Sequence, residues 1–401
     1  MSDYDVIVVG ARVAGAPTTM LLANLGYRVL LVDRATFPSD TVSTHLVHPP
    51  GMAALGRWGL ADAVVATGCP PVTTYRLDLG DFAIAGTPRG LPTAPRPYAP
   101  RRFAMDAILV EAAAAAGAEV RTGFAVDELI VQDGVVRGIR GRSGGASVTE
   151  RATVVIGADG VRSFVAEAVG ATVYHETPML SVLYYAYWSG LPFAGDFNLY
   201  ARGQRGIGII TTADGLNVVV AAWPMAEFEA NRHDLAGNYR KTFATDPELD
   251  ALLDGGRMES RILGATMPNA YRQSFGRGWA LVGDAGYVKD ATPAQGISDA
   301  FIDAESLVAA LDDVMSGRRA FDAALADHQR ARDERTRPMF DFTSQLAGFD
   351  PPTEEDAALF AAIAADAQAS DDFASVLAGT MPVEAFFDPA NLGRLLGEPA
   401  A

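Results

Sequence analysis

The chain has 401 residues, of which 49% are hydrophobic and 20% are charged, and its formal net charge is -17. This composition is typical of a globular protein and excludes an intrinsically disordered one. The negative charge argues against nucleic acid or an anionic membrane as a partner, because both attract positive surfaces. Single hydrophobic cores stop growing at about 250–300 residues, so we expect more than one lobe.

Cysteine, histidine and N-terminal signals narrow the class further. The chain has one cysteine, Cys69, and five histidines. A single cysteine forms no disulfide within the chain and no histidine pair has metal-site spacing, so we expect a reducing compartment and no metal. The start lacks the basic segment of a signal peptide, and no apolar run reaches the roughly 18 residues of a membrane span. We therefore expect a cytoplasmic protein without a membrane span, acting as a monomer or homodimer.

The first predicted elements are a buried strand at residues 4–9, a helix at 15–25 and a second buried strand at 28–33. Pro17 falls in the first turn of the helix, where a missing N–H is harmless, and Gly26 is suited to end the helix. A strand–helix–strand unit of about 30 residues is typical of one half of a nucleotide-binding fold.

The turn between the first strand and the helix reads GARVAGAPT, residues 10–18. A Walker phosphate loop has the same glycine spacing, but Ala16 occupies its lysine position, which disfavours a nucleotide triphosphatase. A dinucleotide turn uses Gly10 for the bend and Gly15 for helix–strand packing, and here Arg12 replaces its middle glycine. The Arg12 guanidinium would then contact phosphate oxygens in place of a close backbone approach. A plain strand-to-helix turn is the third interpretation.

Asp33 at the end of the second strand favours the dinucleotide interpretation. It follows Gly15 by 18 residues, where an acid accepts hydrogen bonds from the ribose of a bound dinucleotide. Its charge also repels a 2′-phosphate, so this site is not expected to hold NADP. The candidate cofactor-binding residues of this segment are Gly10, Arg12, Val13, Ala14, Gly15, Asp33 and Arg34.

The middle of the chain predicts a second lobe. A Pro/Gly-rich loop at 86–100 is followed by a helix at 104–117 and by short strands up to about residue 158. The segment 173–225 is rich in strand formers and aromatic residues, with a turn at Asp214-Gly215. Its alternation predicts an antiparallel sheet.

From Gly296 onward the pattern is mostly helical. Residues 349–401 contain ten acidic residues and one basic residue. This charge indicates either a solvated helical tail or an acidic docking surface.

Two further motifs indicate which nucleotide is bound. They are TVVIGADGVRS at 153–163, a strand that runs into Asp159, and GWALVGDAGYVKDATPAQGISDAFIDAESLVAAL at 278–311, where a strand ends at Asp284. With three motifs in this order, residues 4–330 resemble the flavin monooxygenases of the p-hydroxybenzoate hydroxylase fold. The wider superfamily includes flavin-dependent halogenases and geranylgeranyl reductases.

The resemblance implies an α/β fold with a Rossmann-like FAD-binding domain, an inserted antiparallel β-sheet substrate domain and C-terminal helices. FAD carries the redox chemistry in such proteins, and the protein supplies position and charge. The implied domains are residues 1–75, 100–170 and 270–330 for FAD, residues 76–99 and 171–269 for the substrate, and residues 331–401 for a C-terminal helical extension.

The resemblance also implies roles for single residues. Asp284 would accept a hydrogen bond from the ribityl chain, and the helix from Gly296 would direct its N–H groups to the flavin N1/C2 carbonyl. Arg102 would lie near the FAD phosphates, with a surface salt bridge as the alternative. Asp159 would serve FAD and pyridine nucleotide. The cofactor-binding residues implied are Arg102, Val126 at the adenine, Asp159, Asp284, Pro293, Gly296, Ile297 and Ser298.

The loop before the long helix departs from the family pattern P-x-x-G-x-G. Its residues are Ala291-Thr292-Pro293-Ala294-Gln295-Gly296. The first proline and the first glycine are therefore both alanine, and a proline occupies the gap. This departure and Arg12 leave the surroundings of the flavin ring open.

The chemistry implied is reduction of FAD by NAD(P)H, formation of a flavin C4a-hydroperoxide with O2, and oxygenation of an aromatic or polyketide-like small molecule. GQRGIG at 203–208 is not followed by a helical pattern, so NAD(P)H is expected to bind transiently. A reductase of the geranylgeranyl reductase type is the main alternative. A halogenase needs a lysine, and Lys241 and Lys289 are the only two, but the W-x-W-x-I-P motif is absent. A flavin sensor without turnover is a further class.

The candidate catalytic residues are His45 and Lys289, and His48 is a candidate for substrate binding. Both histidines lie in STHLVHPPG, which passes beside the flavin in the family; a neutral histidine there orients substrate or moves a proton, and a packed loop histidine is the alternative. Lys289 would sense the flavin or the substrate, with a solvated lysine as the alternative. Alternating aromatic residues suit a core as well as a pocket wall. The expected substrate wall consists of Tyr185, Tyr187, Tyr200, Thr211 and Trp223.

Overall fold

The computed structural model describes residues 3–91 and 96–397. Strands and helices are numbered in chain order. The strands are β1 Tyr4–Val9, β2 Val29–Asp33, β3 Thr74–Asp78, β4 Ala83–Gly86, β5 Glu119–Thr122, β6 Phe124–Gln132, β7 Val135–Ser143, β8 Ala146–Gly157, β9 Val173–Thr177, β10 Ser181–Ser189, β11 Asp196–Arg202, β12 Arg205–Thr211, β13 Asn217–Pro224, β14 Arg257–Met258, β15 Leu263–Thr266, β16 Asn269–Arg272, β17 Phe275–Gly276, β18 Trp279–Leu281 and β19 Tyr287–Val288. The helices are α1 Gly15–Asn24, α2 Pro49–Arg57, α3 Ala61–Val65, α4 Arg102–Ala115, α5 Phe164–Ala168, α6 Phe228–Asn231, α7 Leu235–Phe243, α8 Pro247–Asp254, α9 Gly296–Met315, α10 Phe321–Ala347, α11 Glu354–Ala365, α12 Ala367–Leu377, α13 Val383–Phe386 and α14 Pro389–Leu396.

The first sheet has the strand order β17-β18-β8-β1-β2-β5, and β7 joins it at β8. β1 lies at its centre, parallel to both β2 and β8, and its residues Val6 to Val9 are buried. Apolar strands buried on both faces are typical of parallel sheets covered by helices. The predicted β1–α1–β2 unit is confirmed, with ends that differ by one residue. The carboxyl ends of β1, β2 and β8 meet at one edge, where nucleotides bind in such folds.

The second sheet has the strand order β14-β10-β13-β12-β11-β3-β4, and β15 also pairs with β10. Its pairs are antiparallel except β3 with β11. The predicted turn joins β12 to β13, with Asp214 at φ 62° and Gly215 at φ 67°. Tyr185 and Tyr187 on its inner face belong to the same core as β1 and α9. Helices α7 and α8 cover the outer face, where their Tyr239 and Leu249 join a separate core.

The C-terminal helices pack against the second sheet. α12 lies on β4, where the Thr87 amide donates to Asp371 Oδ1 at 2.7 Å and the Arg89 amide donates to Ser375 Oγ at 2.9 Å. Several acidic residues of this segment cap helices; Asp366, for example, caps α12 and pairs with Arg394 at 3.0 Å. Local capping therefore accounts for part of the acidic composition.

Within residues 3–91 and 96–397, none of the helices is long and apolar enough to cross a bilayer. The smaller third sheet consists of β19, β16 and β9. The first, largely parallel sheet and the second, largely antiparallel sheet agree with the predicted α/β architecture. The domain boundaries given above stay a prediction.

Candidate active site

The turn after β1 has a geometry that only glycine allows. Gly10 has φ +102°, and a Cβ atom there would lie 2.4 Å from the Ala158 carbonyl oxygen. A Cβ atom on Gly15 would lie 1.7 Å from the Gly10 carbonyl oxygen. α1 therefore begins close against β1. The residue before it, Ala14, has no side-chain group to cap the helix. Because Pro17 has no N–H and the Ala16 amide donates to the Arg12 carbonyl at 3.0 Å, the Gly15 amide is the one in this first turn that is available to an anion. Val13 lies half-buried in the same turn.

Asp33 holds the ends of β1 and β2 together. Its Oδ2 accepts a hydrogen bond from the Ala11 amide at 2.7 Å, and its Oδ1 accepts one from the Ala35 amide at 2.7 Å. A carboxylate has about four acceptor positions, so Asp33 can also accept ribose hydroxyls. Arg34, the next residue, is exposed.

A buried acid, Asp106, joins Arg12 to Arg102. Its Oδ2 lies 2.5 Å from Arg12 Nη1 and its Oδ1 lies 2.9 Å from Arg102 Nε. Arg12 also donates to Ser39 Oγ at 3.2 Å and covers the ring of Phe37 at 5.3 Å. The cluster of two cations and one anion is thus held close to the start of α1. This net positive charge suits a phosphate.

This cluster decides between the two interpretations of Arg102 and adds Asp106 to the candidate site. Arg102 is 6% exposed, so the alternative of a surface salt bridge is wrong. The sequence motifs did not identify Asp106. It lies four residues after Arg102, which is the spacing of neighbouring side chains on one helix face.

Asp284 lies in a tight turn, Gly283–Ala285, after β18. The Gly283 amide donates to Asp303 Oδ2 on α9 at 2.8 Å, which fixes this turn. Among the residues that the structure describes, the Asp284 carboxylate has no hydrogen-bond partner. Burial raises the pKa of Asp284 to about 6, against the opposing charges of Lys289 and Arg102. A half-buried acid without a protein donor suits a ligand with hydroxyl groups.

The N-terminus of α9 faces the same region. The helix begins at Gly296, and the Gln295 side chain turns away from it and donates to the Leu377 carbonyl at 3.0 Å. The first amides of α9, including those of Ile297 and Ser298, thus have no side-chain cap in the described part of the chain. Uncapped helix starts bind anions and acceptor oxygens.

Lys289 is buried, with 7% of its surface exposed, so the alternative of a solvated lysine is wrong. Its ammonium group forms an ion pair with Asp299 in the first turn of α9. It also lies 5.2 Å from the ring centre of Tyr287. The lysine therefore connects the Asp284 loop to the start of α9.

His45 contacts the inner face of the second sheet. It is fully buried and has the left-handed φ of 67°. Its Nε2 lies 2.7 Å from the Tyr187 hydroxyl, and its ring is perpendicular to that of Tyr185 at 5.7 Å. Burial, together with the charge of Arg102, lowers the pKa of His45 to about 3. The ring is therefore neutral at pH 7.

His48 is also buried, but the fold uses both of its ring nitrogens. Nε2 lies 2.8 Å from the Pro293 carbonyl oxygen and Nδ1 lies 2.8 Å from the Tyr75 hydroxyl. Burial lowers the pKa of His48 to about 4. This placement leaves no free nitrogen for a substrate, in contrast to the expected role in substrate binding.

Three of the five residues expected to line one substrate wall lie on the outer face. Trp223 is buried there and donates to Thr242 Oγ1 at 2.6 Å, and Tyr200 packs against the same outer core. Thr211 shares a face with Ile207 and Ile209 of that core, because every second side chain of a strand points to the same side. This corrects the expectation of one continuous wall, because successive side chains of a strand point to opposite faces. Only Tyr185 and Tyr187 lie with His45.

Two further predicted residues have structural partners of their own. Asp159 accepts hydrogen bonds from Ser163 Oγ at 2.5 Å and from the Val165 amide at 3.1 Å, so it supports the start of α5. Burial raises its pKa. Val126 lies half-buried in β6, where it pairs with Gly141.

The residues of this edge fit FAD. The start of α1 with Arg12 and Arg102 suits phosphate, the start of α9 suits a flavin oxygen, and the half-buried Asp284 without a protein donor suits a ribityl hydroxyl. Two cavities, of about 510 and 180 Å³, lie away from this edge, beside α10 and on the outer face of the second sheet.

Comparison with known proteins agrees with this fit. The FAD binding domain family matches residues 3–343. A digeranylgeranylglycerophospholipid reductase of Methanocella arvoryzae is 29% identical over 75% of this chain and 75% of its own length. A 6-methylpretetramide 4-monooxygenase of Streptomyces rimosus is 31% identical over 41% of this chain and 40% of that protein, which is under half of its length.

A solved flavin-dependent brominase shares the fold, with a TM-score of 0.82, 17% identity and 98% of each chain covered. At this identity the likeness establishes architecture alone. The family match, in contrast, covers most of the chain. The chain is an FAD-dependent oxidoreductase that belongs to the FAD-binding domain family.

Proposed function

We propose that this chain is a monooxygenase that uses NAD(P)H and O2 to oxygenate an aromatic or polyketide-like small molecule. The observation that carries the proposal is a buried polar cluster on the inner sheet face. His45 Nδ1, Tyr185 Oη and Arg101 Nε each have no hydrogen-bond partner in the described part of the chain. Buried polar groups are almost always paired. A ligand with hydrogen-bonding oxygens, held between this face and the FAD edge, would supply the partners.

The cluster also suits a planar ligand. The rings of His45, Tyr185 and Tyr187 are mutually perpendicular, with centres 5.5 to 5.9 Å apart. The Arg101 guanidinium lies 4.8 Å from the Tyr187 ring centre and is held by Asp40 Oδ2 at 2.8 Å. Aromatic walls exclude water and orient flat substrates. The printed activity of the Streptomyces relative, a monooxygenase, supports the same class.

FAD, when bound, would supply the redox chemistry. We assign its phosphates to the start of α1 with Arg12 and Arg102, its ribityl chain to Asp284, and its ring to the start of α9. His45, neutral at pH 7, would accept a hydrogen bond from the substrate at Nδ1 and so orient it. Tyr187 would keep the ring in place through Nε2. Lys289 would act as a positioning residue through Asp299.

A reductase is the second candidate, because the Methanocella reductase aligns over 75% of this chain. A halogenase finds less support. Lys289 is paired with Asp299, and Lys241 lines the cavity on the outer sheet face beside Trp223. Neither lysine is placed to relay an oxidised halide to a substrate beside Tyr185.

The distinguishing experiment follows NADH or NADPH and O2 consumption by the FAD-loaded enzyme with a panel of aromatic and polyketide-like compounds under ¹⁸O2. We expect substrate-stimulated consumption of both in equal amounts and one ¹⁸O atom in the product. NAD(P)H oxidation with a saturated product and no O2 uptake would establish the reductase instead. Halide-dependent product formation would establish a halogenase.

Tyr185→Phe is expected to weaken substrate binding without weakening the fold. The lost hydroxyl has no partner in the described residues, so its removal leaves no other polar group unpaired. The free energy of unfolding should therefore rise or stay unchanged. The KM of a substrate bound by this hydroxyl should increase about tenfold. Tyr200→Phe on the outer face is the matched control and should leave KM within about twofold. Equal KM effects of the two variants would contradict this placement.

A further inference from the structure

The loop before α9 contains a residue in a conformation that disfavours a side chain. Ala294 has φ 60°, is 4% exposed, and donates its amide to the Ala291 carbonyl at 2.8 Å. Left-handed backbone is rare for residues other than glycine because the Cβ atom approaches the neighbouring carbonyl. Such a conformation persists only where the surroundings determine it. The contacts around this loop therefore need to be identified.

His48 contacts Pro293, the residue before Ala294. A carbonyl oxygen only accepts, so His48 Nε2 carries the proton and donates to the Pro293 carbonyl at 2.8 Å. Nδ1 then accepts from the Tyr75 hydroxyl at 2.8 Å. The Pro293 carbonyl thus determines which nitrogen of the ring donates, and the Tyr75 hydroxyl supplies the donor that Nδ1 needs. Since Tyr75 lies in β3, the second sheet is connected through one histidine to the loop.

The same segment supports the first turn of α9. The His48 amide donates to Ser298 Oγ at 3.1 Å. A Cβ atom on Gly51 would lie 2.6 Å from Ser298 Oγ and 2.9 Å from Val47 Cγ1, so α2 packs directly against the start of α9. The loop and the uncapped amides after it are therefore held from one side by residues 48–51 and from the other by Leu377 through Gln295.

We propose that His48 is a positioning residue for FAD. Its Nε2 proton keeps the Pro293 carbonyl oriented, with the ring supported at Nδ1 by the Tyr75 hydroxyl, so that Ala294 remains left-handed and the first amides of α9 face the flavin. The hydrogen bond replaces the conformational freedom that a glycine at position 294 would have. The inference rests on the FAD site proposed above.

A double-mutant cycle between His48 and Ala294 tests the proposal. FAD is titrated into the apoprotein, and flavin fluorescence gives the dissociation constant for wild type, His48→Leu, Ala294→Gly and the double variant. We expect His48→Leu to weaken FAD binding about tenfold, through loss of one buried hydrogen bond. In the Ala294→Gly background the loss should be about twofold, because glycine adopts φ 60° without support. Equal losses in both backgrounds would overturn the proposal and leave His48 as a packing residue.

Two conservative variants separate positioning from packing. His48→Gln keeps an N–H donor and should recover most of the FAD affinity that His48→Leu loses. Tyr75→Phe leaves the volume of His48 unchanged and removes only the donor to Nδ1, so it should weaken FAD binding and shift the flavin midpoint potential. If Tyr75→Phe matches wild type in both readouts, the proposal fails even where His48→Leu does not fold. If wild type itself binds no FAD, the proposed FAD site fails instead.

Discussion

Asp284→Asn is expected to weaken FAD binding and, at the same time, to stabilise the FAD-free protein. The wild-type carboxylate is half-buried, has no hydrogen-bond partner among the described residues and would accept a ribityl hydroxyl. Losing a hydrogen bond to a charged group should raise the FAD dissociation constant about 10- to 100-fold. Titration of the apoprotein with FAD measures this change. Asp62→Asn, at an exposed position of α3, is the control and should bind FAD like wild type.

The stabilising effect depends on pH in a direction set by the raised pKa. Burial raises the pKa of Asp284 to about 6, whereas an unfolded aspartate titrates near 3.9. The folded apoprotein therefore loses stability as pH rises between these values, because ionisation of the half-buried acid opposes folding. Asparagine does not ionise, so Asp284→Asn should be more stable than wild type by about 1 to 2 kcal/mol at pH 8, since solvent screens part of the charge, and by little at pH 4.

Urea unfolding of both apoproteins at pH 4, 6 and 8 measures this difference. A variant less stable than wild type at pH 8 would show that the Asp284 carboxylate has a partner within the fold. The combination of weaker FAD binding and a more stable apoprotein distinguishes a ligand-directed acid from a structural one.

Asp106→Asn is expected to destabilise the protein strongly. The carboxylate is 0% exposed and is the acid shared by Arg12 and Arg102. Removing one charge of a buried pair leaves an uncompensated ion and costs about 3–5 kcal/mol. Arg12 keeps 24% of its side chain exposed, which favours the lower end of this range. Chemical unfolding of the apoprotein gives the value.

The control for Asp106 is Glu111→Gln, an exposed acid on the same helix. It should change the free energy of unfolding by less than about 0.5 kcal/mol. FAD should also restore part of the stability of Asp106→Asn, because its phosphates would balance the two arginines. Equal stability of the two variants would contradict the assignment of Asp106 as the shared counter-ion.

The nucleotide half of the fold was predictable because its signals are local. The apolar runs of β1 and β2 and the helical pattern of α1 depend on neighbouring residues. The glycine requirement at Gly10 and Gly15 follows from one tight turn. The role expected for Asp284, in contrast, came from the resemblance to the flavin monooxygenases and not from a local pattern.

The facing sheet was only half predictable. Alternation shows that a strand has two faces, but not which one packs on the FAD edge. That choice depends on helices α7 and α8, which follow β13 along the chain and cover the face of Trp223. For this reason the sequence placed Tyr185 and Tyr200 on one wall, and the structure separates them.

Pairings between distant segments were not predictable. Lys289 is buried because Asp299, which is on the next helix, turns toward it. His48 is used by the Tyr75 hydroxyl and the Pro293 carbonyl, which come from β3 and from the loop before α9. No local pattern encodes such contacts.

Amide hydrogen exchange with and without FAD tests the central claim, that FAD lies across the carboxyl edge of the first sheet. In the apoprotein the amides at the starts of α1 and α9 have no side-chain cap among the described residues, so they should exchange fast. We predict that FAD slows exchange in peptides that contain residues 11–16 and 294–299, and leaves peptides of α7 and α8 unchanged. Protection confined to the outer sheet face or α10, with these two segments unaffected, would contradict the account.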